Sequence, residues 1–227
     1  MTSKRSAADA RPSTDDLIAG LTSDVPPVRR IWSTGRRLVL WTGALALTVA
    51  LAVVALGVRD DLSSRLGQAS FVLQLVALLG IAIASAALAL RASVPGEEPP
   101  LAASTAVVLL ATAGLALAYG RAPGAPADGS GFIAAGWPCA VATALIAALP
   151  LVLLVGAVRR AAPLVPTVAG LLAGGAAFFA AAAALQLVCP HDERWHLLVW
   201  HLGPVALGLV TSAALGAIWL SRWRRVA

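Results

Sequence analysis

Over 227 residues, 59% hydrophobic side chains, 12% charged ones and a mean hydropathy of +0.84 exclude an ordinary soluble domain and place the chain in the membrane class. The formal net charge of +6 reads as a device that sets topology in the bilayer, and direct nucleic acid binding is not expected.

The first 37 residues are polar and carry Lys4, Arg5, Arg11, Arg29, Arg30, Arg36 and Arg37. They hold no short apolar core followed by a small-residue cleavage site, so a soluble cytoplasmic tail is expected and not a cleaved signal peptide. Within it, "STDDLIAGLTSDVPPVRR" places Ser13 and Asp16 at capping-box spacing, with two acids where the helix dipole favours them. Leu17, Ile18, Leu21 and Val25 then share one face, and Pro26-Pro27 stops the helix. A helix of about ten residues is not stable alone in water. It either lays its apolar stripe into a partner's groove, rests on the membrane, or serves as an unstructured leader.

Six apolar runs follow, at 38–58, 69–90, 101–119, 137–158, 164–187 and 197–220. Each approaches the roughly 20 helical residues that cross a bilayer core of about 30 Å. With the N-terminus inside, 13 of the 17 Lys and Arg fall on the inner side, including Arg91, Arg159, Arg160 and the three of the C-terminal tail 221–227. The outer loops keep Arg59, Arg65, Arg121 and Arg194. This bias predicts an all-α membrane protein with six transmembrane helices and both termini cytoplasmic. Five or seven spans would put the basic "SRWRRVA" outside.

The loops are 59–68, 120–136 and 188–196 outside, and 91–100 and 159–163 inside, none large enough to fold as a domain. Polar residues inside the spans are sparse: Gln74, His201, and near the ends Tyr119, Cys139 and Gln186. No Asp, Glu, Lys or Arg lies in any of the six runs, which argues against ion-coupled transport. "GLLAG" (Gly170, Gly174) reads as generic helix packing. Pro150, Pro166 and Pro204 read as kinks.

The stretch "LVCPHDERWHLLVWH" at 187–201 gathers one of the two cysteines and all three histidines. Cys139 opens the fourth span and Cys189 precedes the sixth, so both lie at the outer face, where a disulfide is permitted. Cys139 and Cys189 with His191, His196 and His201 also offer the thiolate and imidazole ligands that zinc or another soft metal takes, although C-x-H-x4-H is not an established zinc spacing. Blander readings stand beside these. Asp192 and Glu193 suit a helix N-terminus, Trp195 and Trp200 suit the interfacial belt, and His201 suits a buried histidine bonded to a neighbouring helix. Redox or metal-responsive thiols and a plain structural disulfide remain level. No Ser/His/Asp set, H-E-x-x-H, phosphate loop or C-x-x-C is present, so an enzyme is not expected.

Taken together, the Asp15–Val28 motif, Trp137-Pro138-Cys139, and Cys189-Pro190 with His196 and His201 resemble the NrsF-type family of bacterial membrane anti-sigma factors, over nearly the whole chain. The resemblance implies a multi-pass protein of the bacterial inner membrane that sequesters an extracytoplasmic-function sigma factor. It implies that Asp15, Asp16, Leu17, Ile18 and Leu21 contact the sigma factor, and that Cys139 and Cys189 sense metal or oxidative stress. The competing functions are a membrane thiol oxidoreductase, which would need an electron acceptor, and a small transport subunit.

Overall fold

The computed structural model describes residues 13–23, 30–124, 129–161 and 163–221. All regular structure among them is helical. Two compact units divide the chain, Met1–Ile31 and Trp32–Ala227.

The first unit holds α1, Thr14–Ser23. The expected capping box forms: Ser13 Oγ accepts from Asp16 N–H at 3.1 Å, and Ser13 N–H donates to Asp16 Oδ2 at 3.3 Å. The Ser13 hydroxyl, which donates to Asp16 Oδ2 at 2.6 Å, and then the Ser13 N–H hold the Asp16 carboxyl below the usual carboxylate range. Leu17, Ile18 and Leu21 are all exposed on one side of the helix. Val25 and the Pro26-Pro27 stop lie outside the described residues.

The second unit contains six helices long and apolar enough to cross a membrane. They are α2 (Thr34–Leu56), α4 (Ala69–Arg91), α5 (Leu101–Gly120), α6 (Gly129–Arg159), α7 (Pro166–Val188) and α8 (Arg194–Leu220). The short α3 (Leu62–Leu66) lies in the first connection. Much of the presumed 120–136 loop is helix, because α6 already begins at Gly129.

At the centre stands α7, with 83% of its most apolar stretch inside the bundle against 11% for α2. The cause is its side chains: a helix of Ala and Gly presents little bulk, so neighbours approach on every side. A Cβ on Gly170 would lie 2.8 Å from Gly216 Cα on α8 and 2.3 Å from the Ser212 carbonyl oxygen. "GLLAG" is therefore a required backbone contact, more specific than generic packing.

Successive helices alternate in direction, so the ends of the bundle are distinct. At one end Arg37 is buried and donates to Ser93 Oγ and the Leu90 carbonyl, each at 3.4 Å, while Trp41 Nε1 donates to the Pro150 carbonyl at 2.9 Å. At the other end lie both cysteines and all three histidines.

Candidate functional site

The cysteine end is assembled from three helix termini. Cys189 follows the last residue of α7, Cys139 lies on α6 just after its N-terminal turns, and His196 and His201 come from the first turns of α8. Gly136, three residues before Cys139, has no Cβ because Trp200 occupies that space: an added carbon would sit 2.0 Å from the indole Nε1. Phe132 meets the same indole at 5.5 Å between ring centres. This glycine lets α6 close on α8.

A wide turn fixes the histidines. Five residues along an α-helix correspond to about 140° of rotation, which would point His196 and His201 apart. Leu197–Leu202 is instead a π-helical turn, whose i→i+5 spacing brings such a pair back into phase. Pro204 supplies the reason: it lacks the N–H that would bond the Trp200 carbonyl, and its ring would crowd that turn. The two imidazoles consequently lie 5.3 Å apart between ring centres.

One ligand atom from each of Cys139, Cys189, His196 and His201 lies within 4.8 Å of every other. The two Sγ atoms are 3.5 Å apart, both cysteines are free thiols, and Cys189 Sγ is 3.5 Å from His196 Nε2. A tetrahedral zinc-type shell needs ligand atoms roughly 3.3–3.8 Å apart. The closer pairs already meet this, and the widest needs to contract by about an ångström. The hydrogen bond with Cys139 and burial push the Cys189 thiol's pKa up, against the opposing pull of His196 and His201.

His191 stands apart from the four. Its ring is 4.8 Å from that of His196, and its Nδ1 is 3.7 Å from the Glu193 carboxylate. Tail residues Asp15, Asp16, Leu17, Ile18 and Leu21 belong to the other unit, on α1.

Two features beside the site are absent from a reading of the loop alone. Asp192 does not cap α8. Its carboxylate accepts from Arg59 Nη2 at 2.6 Å and from Arg59 Nη1 at 3.2 Å, and it also pairs with Arg65. Glu193 occupies the N-cap position but makes no side-chain capping bond. The second feature is a cavity of about 40 Å³ lined by Gln74, Tyr119, Gln186, Cys189, His201 and Arg59 among others. Among the described residues, Gln74 Nε2, Tyr119 Oη, Gln186 Oε1 and both ring nitrogens of His201 have no hydrogen-bond partner of normal length there. His201 is thus buried as expected, and its polar neighbours are the cluster itself, with a ring nitrogen within 4.8 Å of the Cys139, Cys189 and His196 ligand atoms. Such a space is large enough for a water molecule to bridge these groups. In the sequence the signal was the set of isolated polar residues near the span ends.

A family model described as "Negative regulator of sigma F", NrsF, matches residues 21–223. The chain belongs to the NrsF family. The match contains the whole Cys/His cluster and all six long helices, and of the five tail residues it reaches only Leu21. No curated protein and no solved structure matches. Membership in NrsF implies a sigma factor as the regulatory target, and regulators of this kind are generally not enzymes.

Proposed function

We propose that this NrsF protein is an anti-sigma factor of the bacterial inner membrane that sequesters an extracytoplasmic-function sigma factor through its N-terminal tail. Residues 1–37 form the cytoplasmic tail, 38–220 the six-span domain and 221–227 a short cytoplasmic end. The cysteine end faces the outer compartment. The positive charge bias toward the opposite end supports that orientation. The exposed stripe of Leu17, Ile18 and Leu21 beside Asp15 and Asp16 supports the tail as the holding element, because an amphipathic helix of this length needs a partner to cover it.

The observation that carries the sensing role is the convergence of two thiols and two imidazoles within 4.8 Å at one end of the bundle. No carboxylate belongs to the set, so it suits a thiophilic divalent cation such as zinc. Two thiolates would balance the double charge, and a buried site requires that neutrality. Oxidation of the same thiols is the second signal the 3.5 Å sulfur separation favours. Either event pulls three helix ends together. To move a bound-to-released balance from 1:99 to 99:1 it must favour release by about 5.5 kcal/mol.

The test uses the full chain in lipid nanodiscs with its sigma factor. Wild type captures sigma and lets it go on addition of Zn2+. Leu17→Asp with Leu21→Asp loses capture. Cys139→Ser and Cys189→Ser capture normally and no longer respond. Release that is unchanged in both serine variants would remove the sensor role, and capture that survives in the leucine variant would remove the tail from the interface.

A further inference from the structure

We propose that Arg59 and Arg65, by gripping Asp192, couple the Cys/His site to α2, the long helix nearest the tail in sequence. The inference rests on the reading of that site as the sensor, and it names the residues through which the signal leaves.

The grip is built from both sides. Gly57, at φ 84°, ends α2 and turns the chain sharply. Two residues later the Arg59 N–H donates to the Leu187 carbonyl at the end of α7, 3.1 Å away. The Arg59 side chain is 1% exposed. Its Nε and Nη2 hold Asp61 at 2.6 and 3.0 Å, its two Nη atoms hold Asp192, and its guanidinium lies 6.0 Å from the Phe71 ring centre. Arg65 on α3 holds Asp61 at 3.1 Å and pairs with Asp192. A bidentate arginine fork is rigid and transmits displacement better than a single flexible contact.

On the other side, Asp192 lies three residues after Cys189 and four before His196. Any contraction that draws Cys189 and His196 together must shift the short loop between them, and Asp192 is the point where that loop is held from outside. Either both arginines follow the carboxylate or the two-pronged grip on Asp192 is lost and Arg59 keeps Asp61 alone.

The recipient helix is the least embedded of the six in the bundle. The fully buried residues of α2 are Arg37, Trp41 and Leu45, all in its first half, and from residue 46 to Leu56 none is buried. Trp41, bonded to the Pro150 carbonyl, is the pivot. The arm from Trp41 to Leu56 is about 22 Å and the arm back to Thr34 about 10 Å. A displacement imposed through Arg59 therefore bears, across that pivot, on the contacts that hold the start of α2, those of Arg37 with Ser93 and the Leu90 carbonyl and of Thr34 with Glu97.

The experiment separates binding from response. Full-length wild type, Asp192→Asn and Arg65→Gln are placed in nanodiscs with sigma bound. Co2+ occupancy is read from thiolate-to-metal absorption, and sigma release is followed in the same samples. None of these substitutions touches a ligand atom, so Co2+ occupancy stays at the wild-type level while metal-driven release falls about tenfold or more in Asp192→Asn, and less in Arg65→Gln, which removes one of two arginines. Release equal to wild type in Asp192→Asn with Co2+ bound would overturn the coupling. Should Asp192→Asn lose Co2+ binding, the decision passes to Arg65→Gln, whose partly exposed side chain is a milder loss: full release there overturns the coupling as well. Wild type that binds no Co2+, or releases nothing when it does, would instead sink the reading of the sensor site.

Discussion

At the scale of single residues, Cys139 and Cys189 offer two chemistries that exclude one another. A thiolate engaged by a cation is not available as a nucleophile, and a disulfide leaves no thiolate to ligate. Zn2+ is therefore expected to protect both thiols: alkylation with a maleimide and oxidation by diamide both slow at least tenfold when the four-residue site is filled, and the protection is lost in His201→Ala. Mass counting of modified thiols measures it, and equal rates with and without Zn2+ would show that the four atoms do not act together. Asp61 makes a prediction of a different kind. Its hydrogen bond to Arg59, reinforced by Arg65, lowers its pKa from 3.8 to about 2. A depressed carboxylate contributes stability that is fully present above its unfolded pKa and is lost as pH falls through the folded one. The difference in melting temperature between wild type and Asp61→Asn should hold constant from pH 7 to pH 5 and close between about pH 4 and pH 2. Neither role was fully legible beforehand. The soft ligands stood out because the spans around them contain nothing similar. Asp192 instead resembled an ordinary helix-capping acid, because its true partner lies 133 residues away in sequence, beyond the reach of local spacing.

Among the helices, the apolar runs foretold existence well and geometry less well. Length and composition announce a membrane helix, but all six are apolar nearly throughout, so no amphipathic stripe reveals which face meets which neighbour. The central position of α7 follows from its Ala and Gly content, a signal of close approach without an address. The π turn in α8 is invisible to a 3.6-residue period, and Pro204 was the readable clue to it. Gly136 was equally silent, yet it decides how nearly α6 approaches α8. In Gly136→Val the new side chain occupies the space of the Trp200 indole, and relieving that overlap costs about 1–3 kcal/mol. Either Trp200 swings away or α6 retreats and carries Cys139 with it. We expect α6 to retreat: disulfide formation in the purified variant should slow about tenfold, and the second substitution Trp200→Ala should restore it by making room, a coupling measured by the double-mutant cycle. A Gly136→Val protein that crosslinks at the wild-type rate would show that the indole moves and the helix does not.

For the molecule as a whole, the proposed function requires a separation that the bilayer imposes: chemistry at one end of the bundle must be felt at the other. The fold has a close-packed centre, where α7 is packed backbone to backbone against α8, and a peripheral helix, α2, whose buried residues all lie in its first half. In the proposed coupling, a change at the cysteine end passes outward through the arginine grip to α2, the least embedded of the six helices. The arrangement requires the two ends to face different compartments, which single-cysteine labelling tests directly. In a background carrying Cys139→Ser and Cys189→Ser, the exposed Leu66 beside the arginine grip and the exposed Leu101 at the start of α5 are replaced by cysteine one at a time. A membrane-impermeant maleimide applied to cells whose inner membrane is intact should label Leu66→Cys at once and Leu101→Cys only after the membrane is opened. The reverse pattern would turn the protein over in the bilayer, place the metal ligands in the reducing cytoplasm, and make an oxidative signal untenable there. Labelling of both positions without permeabilisation would remove the separation itself, and with it any need for a lever.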